Sequence, residues 1–358
     1  MSKKAKMNKR KILIIAIVSF IVSIPLIIMP VSTVAVYESI FCRRYETESW
    51  KQFSPEDFEG LQMERSDFEC DGVRLAGYKY SKDGQDEKGV VVIAHGLGGG
   101  GHNAYMPFVD QFTSNGYYVF AYDAIGNDNS EGRSQRGLPE GIICLDSALD
   151  HAATVEEYKN LPFALFGHSW GGYSVGNVLN LHPEIRAAVI VAGFNESEDM
   201  LGHYGEKYGG AGSLAAMPYL KLYERIKFGK EYTDISAVQG FRNTDAGIMI
   251  VHSTDDSTVP VECGYDVFYE EFADSERFEF VLYEDRGHTY LLYSQAAFEY
   301  KEQLNADYKA YVEGNGKKYN DRTKEQFMNA YLDKKQCFEP DPVLVERIIE
   351  MFDGYCSK

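Results

Sequence analysis

One serine stands between an apolar run and a pair of glycines in the stretch LFGHSWGGY, from Leu165 to Tyr173. The residues before Ser169 predict a buried strand, and those after it predict an apolar helix. A sharp strand-to-helix turn strains the backbone of the serine, and only small residues two places away avoid collision, here Gly167 and Gly171. Such a turn exposes the hydroxyl at a helix N-terminus, where backbone N–H groups stabilise negative charge. The stretch predicts a nucleophile at Ser169.

A serine hydroxyl is a poor nucleophile near neutral pH, so this chemistry requires a base and an acid that orients the base. Later in the chain the apolar run GIMIVHS leads into TDDSTVP, and FEFVLYE leads into DRGHTY. Each titratable group therefore follows a predicted strand, at the edge where parallel sheets assemble their sites. The order serine, aspartate, histidine indicates His288 as the base. The residues alone leave Asp255 and Asp256 open as the acid.

A glycine-rich loop, HGLGGGG at 95–101, follows the early apolar run GVVVIAHG. A run of glycines is also typical of a flexible turn or of a phosphate-binding loop. No Lys-Ser or Lys-Thr pair follows it, so the phosphate interpretation fails. The remaining interpretation is that the loop approaches the substrate and supplies a backbone N–H to an oxyanion, beside the N–H of the residue after the nucleophile, Trp170.

The elements that must position these residues alternate between strand and helix, which predicts an α/β fold with a mostly parallel sheet and helices on both faces. The segment 195–244 separates two predicted strands by some fifty residues. This is too long for a plain connection, so we expect a lid of short helices there. The segment 301–358 has a helical, charge-rich pattern, and we expect it to pack on the domain surface.

These motifs resemble the α/β-hydrolase superfamily, in its serine aminopeptidase-like and monoacylglycerol lipase-like branch. The similarity covers roughly residues 67–300 and rests on HGLGG at 95–99, GHSWGG at 167–172, HSTDDSTVP at 252–260 and GH at 287–288. The family places the acid three residues before a Val-Pro pair, which favours Asp256 over Asp255. Ser253 stands where relatives often have glycine. The residues that the resemblance assigns to catalysis are the triad Ser169, Asp256 and His288, with Leu97 and Trp170 as oxyanion donors.

The resemblance implies a serine hydrolase that acts through an acyl-enzyme, and a lid rich in Tyr and Leu favours lipid-derived or apolar acyl esters. An aminopeptidase-like enzyme acting on short peptides is the first alternative, because carboxylates at the start of the lid could hold an α-ammonium group: Glu196, Glu198 and Asp199. A non-catalytic binding protein on the same scaffold is the second. We expect no cofactor. We also expect no metal, because the six cysteines lack metal-ligand spacing and are mostly expected to be buried free thiols.

The N-terminus carries six Lys and Arg in residues 1–11, followed by 26 uncharged residues from Ile12 to Tyr37. This pattern predicts a transmembrane anchor over 12–37 with a cytoplasmic basic segment before it and the catalytic domain on the extracytoplasmic side. A signal peptide cleaved after Ala35, giving a secreted protein, is the alternative.

The formal net charge of −18 makes nucleic-acid partners unfavourable. After the anchor we predict a linker over 38–66, a hydrolase core over 67–194 and 245–300 with the lid between, and the C-terminal segment over 301–358.

Overall fold

The structure is a computed structural model that describes residues 9–84 and 87–357, and a nine-stranded sheet lies at its centre. Residues 1–8, most of the predicted basic segment, fall outside the described residues. The spatial order of the sheet is β1-β3-β5-β4-β6-β7-β8-β9, and β2 pairs with β3. The strands are β1 (Leu61–Arg65), β2 (Phe68–Cys70), β3 (Val73–Lys82), β4 (Gly89–Ala94), β5 (Tyr117–Asp123), β6 (Phe163–His168), β7 (Ala187–Val191), β8 (Gly247–Ser253) and β9 (Phe278–Tyr283).

The strands β4 to β9 pair in parallel, whereas β1, β2 and β3 pair antiparallel at one end of the sheet. Every residue of β4 and of β8 is buried, which explains their uninterrupted apolar sequences. Asp71 and Gly72 join β2 to β3 with positive φ angles of 50° and 72°, the conformation of a tight hairpin turn. The α/β fold with a mostly parallel sheet, predicted from the alternating pattern, is therefore present.

Helices cover both faces of this sheet. One face carries α4, α5, α9 and α10, and the other carries α3 and α14. The helices are α1 (Lys9–Ser23), α2 (Met29–Phe41), α3 (Met106–Ser114), α4 (Glu140–Ala152), α5 (Trp170–Val178), α6 (Ser197–Gly209), α7 (Met217–Phe228), α8 (Lys230–Thr233), α9 (Ala237–Asn243), α10 (Tyr265–Phe272), α11 (Gln295–Gly314), α12 (Asp321–Tyr331), α13 (Lys334–Cys337) and α14 (Pro342–Cys356). The insert 195–244 holds α6 to α9 and a 3₁₀ turn at Ala211–Ala216.

Two segments differ from what the sequence predicted. Residues 38–66, expected to form a linker, include β1 of the sheet and the buried ring of Phe53. The sequence predicts that the C-terminal segment packs on the domain surface, whereas its helix α14 forms part of the core, with Ile348 and Phe352 fully buried against the sheet. Its apolar residues recur every three to four positions and form one buried stripe, which the high average charge of the segment conceals. All six cysteines are free, and five of them are buried.

An apolar helical stretch runs over Lys9–Phe41, 33 residues with a mean hydropathy of 3.1 in its most apolar window. It is long and apolar enough to cross a membrane, and a signal sequence would have the same properties. Its C-terminal end packs on the insert 195–244. The Tyr37 hydroxyl donates to Glu224 Oε1 of α7 at 2.6 Å, and the Ser197 hydroxyl donates to Oε2 at 2.7 Å. The insert and the end of the N-terminal helix therefore share one buried polar cluster.

Substituting Tyr37→Phe is expected to lower the free energy of unfolding by about 1–3 kcal/mol, because the buried Glu224 carboxylate loses a donor. Burial raises the pKa of Glu224, and its hydrogen bonds to Tyr37 and Ser197 oppose that rise. Thermal and denaturant unfolding of the full chain in detergent would measure the change. Tyr208→Phe is the matched control, since Tyr208 is 76% exposed. Equal stability of both variants would contradict the prediction.

Candidate active site

The nucleophile predicted from sequence lies at the turn from β6 into α5. Ser169 has φ 58° and ψ −119°, a conformation that costs energy for a residue with a side chain. Its N–H donates to Val191 O at 2.8 Å, and its carbonyl accepts from Tyr173 N at 2.9 Å, so strand and helix both hold the turn. A Cβ atom on Gly167 would come within 2.3 Å of Gly171 O. The small residues around Ser169 are therefore a steric requirement.

The structure brings Ser169, His288 and Asp256 together although they lie far apart in sequence. His288 Nε2 is 2.9 Å from Ser169 Oγ, and His288 Nδ1 is 2.7 Å from Asp256 Oδ2. The carboxylate side chain is fully buried, whereas the imidazole is 16% exposed. This arrangement lets the imidazole accept a proton from the hydroxyl while the carboxylate holds the opposite ring nitrogen.

The Asp256 carboxylate is held ionised by its neighbours. Its Oδ1 accepts from the N–H groups of Thr258 and Val259 at 2.8 and 2.9 Å. Burial favours the neutral acid, but hydrogen bonds to His252, His288 and the Val259 N–H outweigh it and hold the pKa of Asp256 well below its usual range. A carboxylate that stays charged can stabilise an imidazolium beside it.

The neighbouring acid, Asp255, faces a different partner. Its Oδ1 accepts from Ser253 Oγ at 2.6 Å and from Gly287 N at 2.8 Å. Ser253 Oγ also accepts from Arg286 N at 3.1 Å. Ser253 therefore ties the end of β8 to the loop that carries His288. Of the two acids left open by the sequence, Asp256 is the one that contacts the imidazole.

The glycine-rich loop after β4 is oriented by His95. Its Nε2 accepts from Ala124 N at 2.9 Å, so its Nδ1 carries the proton and donates to Gly96 O at 2.8 Å. In a trans peptide the N–H points opposite to the C=O, so fixing the Gly96 carbonyl also fixes the direction of the Leu97 N–H. Burial lowers the pKa of His95, which favours the neutral ring that this pattern needs.

The second predicted donor, the N–H of Trp170, belongs to the first residue of α5. N–H groups in the first turn of a helix have no acceptor within the helix and are available to a bound group. The Trp170 side chain points away from that role, since its Nε1 donates to Leu138 O at 2.7 Å in the interior. The buried indole fixes the start of the helix, and the backbone N–H stays at the turn.

The insert 195–244 contacts the loop that carries Asp256. Tyr204 Oη of α6 donates to Thr258 O at 2.7 Å. Within the insert, Met200 of α6 and Leu220 of α7 are buried, whereas Leu214 is 50% exposed. Of the acidic residues at the start of the insert, Glu198 forms an ion pair with Lys221. Burial raises the pKa values of the other two, Glu196 and Asp199. Repulsion from Asp199 and Glu198 adds to the rise at Glu196, and repulsion from Glu198 adds to the rise at Asp199.

The family model described as Serine aminopeptidase, S33 matches residues 85–243. A caffeoylshikimate esterase of Arabidopsis thaliana is 29% identical over 187 residues, which are 48% of this chain and 56% of that protein. The chain therefore spans just over half the length of this curated relative. Two structures of an esterase from Pyrococcus furiosus superpose with a TM-score of 0.53 at 16% and 18% identity, covering 76% of this chain and 97% and 98% of theirs. These similarities confirm the predicted resemblance and the fold.

Proposed function

We propose, from the premise that this chain is a serine hydrolase with the α/β-hydrolase fold, that it cleaves carboxylic esters through an acyl-enzyme on Ser169. The observation that carries the proposal is the continuous contact from the serine hydroxyl through the imidazole to a buried carboxylate, at 2.9 and 2.7 Å. The apolar residues of the lid favour substrates whose acyl group is apolar.

In the proposed reaction the Ser169 oxygen attacks the ester carbonyl while His288 Nε2 takes the hydroxyl proton. The carbonyl oxygen becomes an oxyanion that the Leu97 and Trp170 N–H groups stabilise. When the tetrahedral intermediate collapses, the imidazolium returns the proton to the leaving alcohol and the acyl group stays on the serine. Water then repeats the sequence with the same base, and the products are a carboxylic acid and free Ser169.

Labelling with a fluorophosphonate tests this proposal on the full chain in detergent. The probe is expected to modify Ser169, identified by peptide mass spectrometry, because attack on phosphorus uses the same activated hydroxyl. The Ser169→Ala variant is expected to remain unlabelled, and Ser174→Ala, which changes a buried serine one turn away in α5, is expected to label normally. Equal labelling of wild type and Ser169→Ala would refute the proposal. The full chain is needed because Tyr37 forms part of the folded domain.

We also propose that the N-terminal helix anchors the enzyme in a membrane with the hydrolase domain on the extracytoplasmic side. The uncharged run and the basic residues before it support this orientation. The helix also ends against the lid, because the Glu38 carboxylate pairs with Lys227 of α7. An anchor of this kind would hold the lid beside the lipid surface, which suits lipid-derived esters.

An aminopeptidase-like activity is the second candidate, favoured by the carboxylates of Glu196 and Asp199 at the start of the insert, whose pKa values are raised by burial and by neighbouring acids. A substrate panel separates the two activities. For an esterase with an apolar acyl site, kcat/KM for p-nitrophenyl esters is expected to rise up to about fourfold per added CH₂ and then level off. A peptidase would prefer aminoacyl p-nitroanilides and lose activity when their amino group is acetylated. Faster turnover of those anilides than of every ester would overturn the esterase proposal.

A further inference from the structure

His168, the residue before the nucleophile, connects two loops of the site. Its Nε2 is 2.9 Å from the carbonyl oxygen of His288, and its Nδ1 is 3.1 Å from the Tyr105 hydroxyl. The same hydroxyl accepts from Gly96 N at 3.0 Å. From the sequence we expect the His168 side chain to pack or to shape the pocket rather than to react, and Tyr105 is not singled out. A continuous set of hydrogen bonds therefore runs from the glycine-rich loop to the loop of the base.

The donors and acceptors in this set are compatible with only one placement of the protons on His168 and Tyr105. A carbonyl oxygen only accepts, so His168 Nε2 must carry a proton and donate to His288 O. In a neutral ring Nδ1 is then an acceptor, and the Tyr105 hydroxyl donates to it. The Tyr105 oxygen keeps a lone pair for the Gly96 N–H. Burial and the neighbouring His288 ring lower the pKa of His168 to about 3, which keeps the ring neutral near physiological pH.

The glycine-rich loop and the loop of His288 follow strands that are not neighbours in the sheet. Gly96 follows β4, which pairs with β6, the strand that ends at His168. His288 follows β9, and β7 and β8 lie between β6 and β9. The Gly96 carbonyl is separately held by His95, so Gly96 is held through both its N–H and its C=O, and the C=O contact sets the peptide that carries the Leu97 N–H. The position of the base relative to the oxyanion donors therefore depends on side chains that do not react.

We propose that His168 and Tyr105 are positioning residues that hold His288 and the glycine-rich loop at fixed places on either side of Ser169. The inference rests on the proposed function, since it assigns these residues to the same acyl-transfer site. Small displacements of a base or an oxyanion donor lower rates strongly while leaving the affinity for the ground-state substrate almost unchanged. A loss in kcat with a constant KM is therefore the expected signature.

The test compares variants of His168 that keep different contacts. His168→Ala is expected to lower kcat for p-nitrophenyl butyrate about 10- to 100-fold with KM within about twofold. His168→Gln, whose terminal amide reaches the place of Nε2, is expected to recover most of the loss. His168→Asn, whose amide reaches only the place of Nδ1, is expected to resemble His168→Ala. Equal activity of the Gln and Asn variants, or kcat within twofold of wild type in folded His168→Ala, would overturn the proposal.

Tyrosine variants test the other half of the set. Tyr105→Phe is expected to lower kcat several-fold, and its effect is expected to be smaller when His168 is already alanine, because both act through the same contacts. Tyr158→Phe is the matched control, since the buried Tyr158 hydroxyl has no partner among the described residues and its removal is expected to leave kcat unchanged. Full additivity of Tyr105→Phe and His168→Ala would contradict a shared role.

A measurement that does not need turnover separates this proposal from the proposed function. Nitrogen NMR of histidine-labelled full chain, with His168 assigned by its variants, is expected to show a protonated Nε2 and an unprotonated Nδ1 from about pH 6 to 9. Wild-type protein that neither labels nor hydrolyses esters but shows this tautomer would refute the ester activity and overturn the catalytic part of the positioning role. The opposite tautomer in active enzyme would overturn the positioning proposal alone.

Discussion

Replacing Asp256 by asparagine is expected to lower kcat for ester hydrolysis by about 10⁴-fold with little change in KM. The charged acceptor of the His288 Nδ1 proton is lost, so the imidazole can take the wrong tautomer and the imidazolium formed during attack is no longer stabilised. Steady-state kinetics on p-nitrophenyl butyrate would measure the loss. The melting temperature of the variant should be recorded beside it, because the Asp256 side chain also accepts two backbone N–H groups.

Asp255→Asn is the matched control, since it makes the same chemical change one residue away. The remaining amide oxygen still accepts from the Ser253 hydroxyl and the Gly287 N–H, so activity is expected to stay within about tenfold of wild type. A larger loss at Asp255 than at Asp256 would contradict the assignment and would place the acid of the triad at the first aspartate of the pair.

Substituting Gly171→Ala is expected to lower the free energy of unfolding by more than about 4 kcal/mol, the range reached when steric strain cannot relax. An added Cβ would lie 2.0 Å from the Ala94 carbonyl oxygen, which belongs to the backbone of β4 and cannot rotate away. The close contact holds the first turn of α5 against the end of β4, beside the glycine-rich loop. Loss of soluble folded protein, or a strongly lowered melting temperature, is the expected measurement.

Gly202→Ala is the contrasting substitution. Gly202 lies inside α6, and a Cβ there would meet nothing within 4 Å. The stability of this helix is expected to rise by about 0.5–1 kcal/mol, because glycine loses more backbone freedom than alanine in a helix. If Gly171→Ala were tolerated as well as Gly202→Ala, the steric explanation of the small residues around Ser169 would be wrong.

The sequence by itself determined the α/β class and the place of Ser169. Strands such as β4 and β8 are buried on both faces, so an uninterrupted apolar run in the sequence is enough to predict them. The Gly-x-Ser-x-Gly spacing predicts a strained turn because the collision it avoids involves residues only a few positions apart. The order of serine, aspartate and His288 also follows from the chain, because each candidate lies just after a predicted strand.

The tertiary structure decided what depends on contacts between distant segments. The residues alone left Asp255 and Asp256 open, and the family spacing favoured Asp256. The contact with His288 itself depends on the direction of a turn at the end of β8. The helix α14 is buried because it covers a face of the sheet, and β1 is ordered because it pairs with β3 at the sheet edge. Neither partner is visible in the average composition of these segments.

The hydrogen bonds from Tyr105 through His168 to His288 O join residues up to 183 positions apart, and no local pattern records them. The contact of Tyr37 with Glu224 likewise joins the N-terminal helix to the lid across 187 positions. Local sequence specifies a strand, a helix or a strained turn because the forces act between near neighbours. Contacts between side chains that are distant in sequence depend on how the strands and helices pack, so they can be identified only in the folded chain.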